Sequence, residues 1–382
     1  MSKIPKIHVW IPDVFEFKGG IQVYSAFFIQ ALEKILPNSD RHIFLKNDAK
    51  STDDLQFNPD TKFQFAGKWK SSWLHTPVFA FQVLLAALQE RPDLIICGHI
   101  NFLPIAFQIL KLLKIPYWVI IHGIDAWNVK QTSKISALKA ADKIISVSEY
   151  TSNHILPEQE NFFENVYILP NTFDANKFTI QSKPQYLLDR YQLDKNQPII
   201  LTVSRLVGCD RYKGYDQIIQ SLPIIRQQIP NIHYLLVGKG DDQNRVESII
   251  DTFNVRDCVT LTGFVSDEEL GDHYHLCDVF AMPSKGEGFG IVYLEALACG
   301  KPTIGGNQDG AIDALCGGKL GSLVNPDSIE EIAQTIIQIL QGTYPNSLIY
   351  QPQELREKVI DIFGFEKFQE TLGKYLSNHF PC

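Results

Sequence analysis

The stretch VFAMPSKGEGFGIVYLEALACGKPTIGG (279–306) holds a complete strand, turn, helix, turn and strand in succession. VFAM is a short apolar run, and the glycines at 286, 288 and 290 break it before the helix IVYLEALAC begins. A strand that is apolar on both faces belongs in a parallel sheet covered on both sides. The scheme recurs in PIILTVSR (198–205), HYLLVG (233–238) and CVTLTG (258–263), with helices such as YDQIIQSLPIIRQQI (215–229) between. It recurs again upstream. KIHVWI (6–11) precedes a Gly-Gly turn and the helix IQVYSAFFIQALEKI (21–35). DLIICGH (93–99), YWVIIHG (117–123) and KIISVS (143–148) follow, the last leading into a helix near Ser148. This alternation predicts the α/β class, with two doubly wound Rossmann-like domains in tandem. The expected boundaries are 1–178 and 190–362, with the polar stretch 174–197 as the joint and FGFEKFQETLGKYLS (363–377) as a last helix.

Composition agrees with two domains. The chain has 382 residues, 45% of them hydrophobic and 20% charged, enough for two cores and unlike a disordered chain. The net charge of −8 speaks against a nucleic-acid partner, which would require a basic excess or stripe. Residues 1–190 carry 20 basic and 18 acidic side chains, and the remainder 15 and 25. The near-neutral first half, with KWKSSW (68–73) and KLLK (111–114), leaves room for weak peripheral contact with an anionic membrane. The longest apolar run, VFAFQVLLAAL (78–88), is too short to span a bilayer. The seven cysteines are scattered, with no C-x-x-C pair. Together with an N-terminus that lacks a signal-peptide core, this suggests a cytoplasmic protein with reduced thiols.

In open parallel sheets ligands bind beyond the carboxyl ends of the strands, so the turns there deserve the closest reading. In PSKGEGFGIVYLEALACGKP (283–302), glycines let backbone approach a ligand, and the helix start after Gly290 offers N–H groups to an anion. The turn lacks the Lys-Ser/Thr ending of an ATPase loop. Glu287 lies in the turn and Glu295 eight residues on, both suited to accept protons from sugar hydroxyls. In TVSRLVGCDRYKGYD (202–216), Arg205 and Lys213 offer two cations that can neutralise a diphosphate. No D-x-D pair occurs, so no metal site and no cofactor are expected. His273 and His275, in GDHYHLCD, lack partners at metal-ligand spacing. Upstream, Gly19-Gly20 opens a helix, while HGIDAWN (122–128) places His122 and Asp125 after a strand.

The ordered set of turns is similar to that of the retaining glycosyltransferases of family 4, over nearly the whole chain. The resemblance is carried by GGIQVY, HGIDAW, SVSEYTSNHI, LPNTFD, TVSRLV with YKGYD, LLVGKG, LTGFVSDEEL and PSKGEGFGIVYLEALACGKP. The E-x7-E spacing of Glu287 and Glu295 is its most specific element. It implies the GT-B fold, with the two domains facing across a cleft. The second domain would bind a nucleotide-sugar donor linked to UDP or GDP. The first would bind a glycan or lipid-linked saccharide acceptor, and the terminal helix would pack back on it. Arg205 and Lys213 then match the diphosphate pair, Glu295 the ribose carboxylate, and Glu287 the carboxylate facing the donor sugar. Gly288 lies within this loop, and the amides of Phe289, Gly290 and Ile291 would meet phosphate or sugar oxygens. Backbone near Phe264 and Val265 would frame the base, with Gly238 also on the donor side. Gly20 would pass close to the phosphates, His122 would lie near the transferred sugar, and Gly19 and Asp125 would serve the acceptor.

The resemblance further implies a metal-independent transfer in polysaccharide biosynthesis, in the cytoplasm or at the inner face of the membrane. The leaving diphosphate would depart on the face from which the acceptor attacks. The chain departs from the family in two places. The loop LVGCDRY between the cations is longer and carries Cys209 and Asp210. The family's G-G-x-P-E is replaced by GGNQDGAIDAL, with Asn307, Asp309 and Asp313. The alternative readings are a nucleotide-sugar epimerase of the same fold and a binding-only, lectin-like module; the cations and the E-x7-E helix favour transfer.

Overall fold

The computed structural model describes residues 4–16, 19–51, 56–68, 72–156 and 164–380. Trp69, Lys70 and Ser71 of the basic stretch lie outside them, as do Phe17 and Lys18 beside Gly19. The described chain forms two compact units, Phe173–Gly364 and Met1–Thr172 with Phe365–Cys382.

The first unit runs β1 (Lys6–Ile11), α1 (Gly20–Ile35), β2 (Asp40–Leu45), β3 (Lys62–Phe65), α2 (Ser72–Glu90), β4 (Leu94–Cys97), α3 (Leu103–Leu113), β5 (Tyr117–Ile121), α4 (Thr132–Ala140), β6 (Lys143–Ser146), α5 (Glu149–Asn153) and β7 (Val166–Ile168). Its seven strands are ordered β3-β2-β1-β4-β5-β6-β7 and all pair in parallel. Every residue of LIIC in β4 and YWVII in β5 is buried, as strands covered on both faces require. Each such side chain contributes about 1.5–3 kcal/mol by leaving water. Ser148 begins α5 by accepting a hydrogen bond from the Thr151 amide.

The second unit continues with α6 (Gln185–Tyr191), β8 (Ile199–Val203), α7 (Tyr215–Gln228), β9 (His233–Val237), α8 (Gln243–Thr252), β10 (Val259–Gly263), α9 (Asp267–Leu276), β11 (Val279–Met282), α10 (Ile291–Ala298), β12 (Thr303–Gly306), α11 (Ala311–Ala314), β13 (Ser322–Val324), α12 (Ile329–Leu340) and α13 (Pro352–Phe363). Its strands lie in the order β10-β9-β8-β11-β12-β13, again in parallel. The order reverses direction between β8 and β11, so the turns after these two strands flank a switch point.

The last helix, α14 (Phe365–Ser377), belongs to the first unit. Phe368, Leu372 and Leu376 recur every four residues and are buried on one stripe. Phe368 meets the Tyr24 ring of α1 edge-on at 5.5 Å, and the Tyr375 hydroxyl donates to the Ile168 carbonyl at 2.6 Å. Among the described residues no helix is long and apolar enough to cross a membrane.

Candidate active site

The switch point of the second unit brings the loop that carries Arg205 and Lys213 beside the loop of Glu287 and the start of α10, while Gly238 follows β9 and Phe264 and Val265 follow β10. Lys213 ends a short 3-10 turn (Gly208–Lys213) after β8, and its ammonium pairs with the Glu287 carboxylate in the loop after β11. The two loops are held together by backbone as well, since the Lys285 amide donates to the Tyr212 carbonyl at 2.9 Å. Both side chains of the pair are largely buried, so each charge depends on the other for its compensation. Arg205 is half exposed and pairs with Asp210, which is nearly buried, at 2.8 Å. Both expected cations are thus present at the strand ends, each beside a carboxylate of its own unit.

Gly290 immediately precedes α10 at φ +89°, a left-handed conformation open to glycine. A Cβ there would also lie 2.5 Å from the Tyr293 ring. No side chain caps this helix, whose first amides lie beyond the reach of intrahelical carbonyls. Ile291 is its first residue, and Phe289 is buried with its ring against Phe363 at 5.4 Å. Glu295 lies further along α10, where the Tyr274 hydroxyl of α9 donates to Oε2 at 2.6 Å. Burial pushes the Glu295 carboxyl up to about 7, against lowering by the Tyr274 hydrogen bond and by Lys177. Gly238 closes β9, its amide donating to the Gly263 carbonyl at 2.9 Å. Phe264 and Val265 follow β10; the Phe264 ring is 67% exposed, with the Lys239 ammonium 5.0 Å above it.

Asp309, which departs from the family's G-G-x-P-E, is central to the loop. Asp309 is fully buried. Its Oδ2 accepts from the Ser284 hydroxyl at 2.6 Å, the Gly286 amide at 2.8 Å and the Glu287 amide at 2.7 Å. Its Oδ1 accepts from the Ala311 amide at 2.9 Å. Burial pushes Asp309 up to about 6, opposed by these hydrogen bonds. A carboxylate among glycines and small residues, close after a strand, was the available signal.

In the first unit, Gly19 precedes α1 in an extended conformation without a side-chain cap, and open space surrounds the Cβ position of Gly20. His122 follows β5. Its Nε2 lies 2.9 Å from the Gly98 carbonyl, which can only accept, so the proton is assigned to Nε2. Burial pushes His122 down to about 4 despite that hydrogen bond, leaving the imidazole neutral. Asp125 Oδ1 accepts from the His122 amide at 3.3 Å, while Oδ2 is buried without a hydrogen-bond partner. Burial raises Asp125 to about 7.

His273 and His275 have structural partners. His273 bonds the Glu269 carbonyl and the Tyr191 hydroxyl, and His275 bonds the Thr179 carbonyl. Among the described residues, His8, His42 and Glu90 bring three metal-ligand atoms together. Glu90 accepts from His8 Nε2 at 2.8 Å and His42 Nδ1 at 3.1 Å, which already satisfies the trio's facing atoms. The described cysteines are free.

Comparison with known proteins decides the family. Residues 187–361 match the model of the glycosyl transferases group 1, and residues 18–177 match that of glycosyltransferase family 4. The chain belongs to glycosyltransferase family 4. Among relatives of this family 4 member is the GDP-mannose-dependent alpha-(1-6)-phosphatidylinositol monomannoside mannosyltransferase of Mycolicibacterium smegmatis. It is 31% identical over 233 residues, covering 57% of this chain and 59% of that protein. The mannosylfructose-phosphate synthase of Agrobacterium fabrum is 21% identical over 261 residues, covering 60% and 57%. The match therefore spans about three fifths of the length of these curated relatives. Among solved structures, sucrose-phosphate synthase from Thermosynechococcus elongatus superposes with a TM-score of 0.81 at 21% identity, covering 99% of each chain. HepE from Anabaena, solved with UDP and glucose, gives 0.77 at 19% identity, covering 98% of this chain and all of that one. The fold is GT-B.

Proposed function

We propose that this family 4 protein is a retaining hexosyltransferase, taking sugar from a GDP- or UDP-linked donor to a glycan or lipid-linked saccharide without a metal ion. One observation carries the reading: Lys213, Glu287 and the uncapped start of α10 meet at the switch point of the second unit. In this role the Arg205 and Lys213 cations and the amides of Phe289, Gly290 and Ile291 stabilise the charge on the departing diphosphate. Glu287 orients the donor sugar and Glu295 accepts from the ribose hydroxyls, while Gly288, Gly238, Phe264 and Val265 line the nucleotide. Gly19, Gly20, His122 and Asp125 are assigned to the acceptor, phosphate and transferred-sugar contacts of the first unit.

The absence of any D-x-D pair supports cations in the place of a metal. No side chain is assigned as a nucleophile. The sugar–phosphate bond breaks as the acceptor hydroxyl attacks on the same face, and the leaving phosphate takes the hydroxyl proton. The named activity of the mycobacterial relative makes GDP-mannose the first donor to test and a phosphatidylinositol mannoside the first acceptor. The test is release of GDP or UDP from GDP-mannose and UDP-glucose, with and without EDTA. Chelator-resistant release from one donor supports the proposal; release that requires added divalent metal contradicts it. Peripheral membrane contact is part of the proposal only through such a lipid-linked acceptor.

A further inference from the structure

The loop that carries Glu287 is glycine-rich and short of side chains, so something outside it must define its shape. That support comes from the turn after β12. The Gly310 amide donates to the Glu287 carbonyl at 2.8 Å, and a Cβ on Gly310 would lie 2.1 Å from the Gly288 carbonyl, so the turns touch backbone to backbone. Ser284, whose hydroxyl donates to Asp309, lies 2.9 Å from the Tyr293 hydroxyl, which itself donates to the Met282 carbonyl. Asp309 thus links the strand end, two consecutive loop amides and the start of α11 through one buried carboxylate.

We infer that Asp309 is a positioning residue, its carboxylate fixing the Gly286–Glu287 backbone and thereby the direction of the Glu287 side chain toward the donor sugar. This rests on the donor-site reading above. A carboxylate is the group the position requires. Three donors converge on Oδ2 and a fourth meets Oδ1, and only an anion has acceptors on both sides. Asparagine has nearly the same shape, but in either flip its NH₂ confronts a donor, either the Ala311 amide or the Ser284–Gly286–Glu287 group.

The test compares Asp309→Asn, Ser284→Ala and Glu287→Gln in the full chain. Three readouts are taken: kcat and KM for diphosphate release from GDP-mannose or UDP-glucose, affinity for GDP and UDP, and amide exchange across 284–290. In Asp309→Asn, kcat is expected to fall about tenfold or more, as misplacement of a reacting group does, with nucleotide affinity within about threefold. The Gly286 and Glu287 amides should exchange faster while the core strands do not. Ser284→Ala removes one donor and spares both amides, so it should move the same readouts less. Unchanged turnover in Asp309→Asn beside lost turnover in Glu287→Gln overturns the inference and leaves the donor site standing. Unchanged turnover in Glu287→Gln overturns the donor-site reading, and the inference with it. Unchanged exchange at the two amides overturns the inference even where no donor turns over.

Discussion

Replacing Glu295 by Gln should make the protein more stable and a poorer binder of nucleotide. In the fold the carboxyl is raised from 4.5 to about 7, chiefly by burial. Between these values the unfolded chain has lost its proton while the folded chain keeps it, so stability falls as pH rises through that window. Below pH 4.5 the effect vanishes, and above 7 it is complete. At about 1.4 kcal/mol per pH unit the displacement corresponds to at most about 3 kcal/mol, as the residue keeps some contact with solvent. Glutamine still accepts the Tyr274 hydroxyl but carries no charge to bury. The variant should therefore gain up to about 3 kcal/mol at pH 8 and little at pH 4.5. A hydrogen bond to a charged acceptor contributes about 1–2 kcal/mol more than one to a neutral acceptor, so nucleotide affinity should fall about 5- to 30-fold. Urea unfolding at both pH values, with titration of GDP and UDP at pH 8, measures both effects. An equal stability difference at the two pH values, or a loss at pH 8, refutes the reasoning.

Three further outcomes are expected. Lys213→Ala leaves the Glu287 carboxylate unpaired and the departing diphosphate less neutralised; turnover should fall about 10²–10³-fold, and near-normal steady-state release of nucleotide contradicts this. Gly290→Ala forces a Cβ into the Tyr293 ring at φ +89°, so about 1–3 kcal/mol of stability and the nucleotide affinity should go together; thermal unfolding beside a binding titration checks the pair. His122, pushed down to about 4, should stay neutral down to about pH 5, with its ring resonances flat from pH 8 to 5.5 by NMR; a midpoint near 6.5 would show that the ring is not desolvated.

Much of the architecture was legible because the central strands bury both faces. KIHVWI and YWVII are short, rich in β-branched and aromatic residues and bounded by Pro or Gly, and β1 spans the expected 6–11 while β5 opens at the expected Tyr117. The strands that escaped were those with a weaker pattern. DRHIFL and KFQF (β2 and β3) mix charge with apolar residues, while VYI and SLV (β7 and β13) are too short to show a period. In the site, Glu287 and Lys213 were legible as types, since loop carboxylates and cations at strand ends carry their chemistry in the sequence. Their pairing was not, because it depends on two loops separated by some seventy residues in the chain. Asp309 was visible only as a departure from a family pattern; its role comes from backbone amides, which have no letter of their own.

The most direct test of a metal-free nucleotide-sugar site is calorimetric titration of the full chain with GDP and UDP, with and without EDTA, alongside Arg205→Ala. Micromolar binding of one nucleotide, unmoved by chelator and weakened at least tenfold in the variant, is the expected result. Binding of neither nucleotide, or binding that EDTA abolishes, would contradict it.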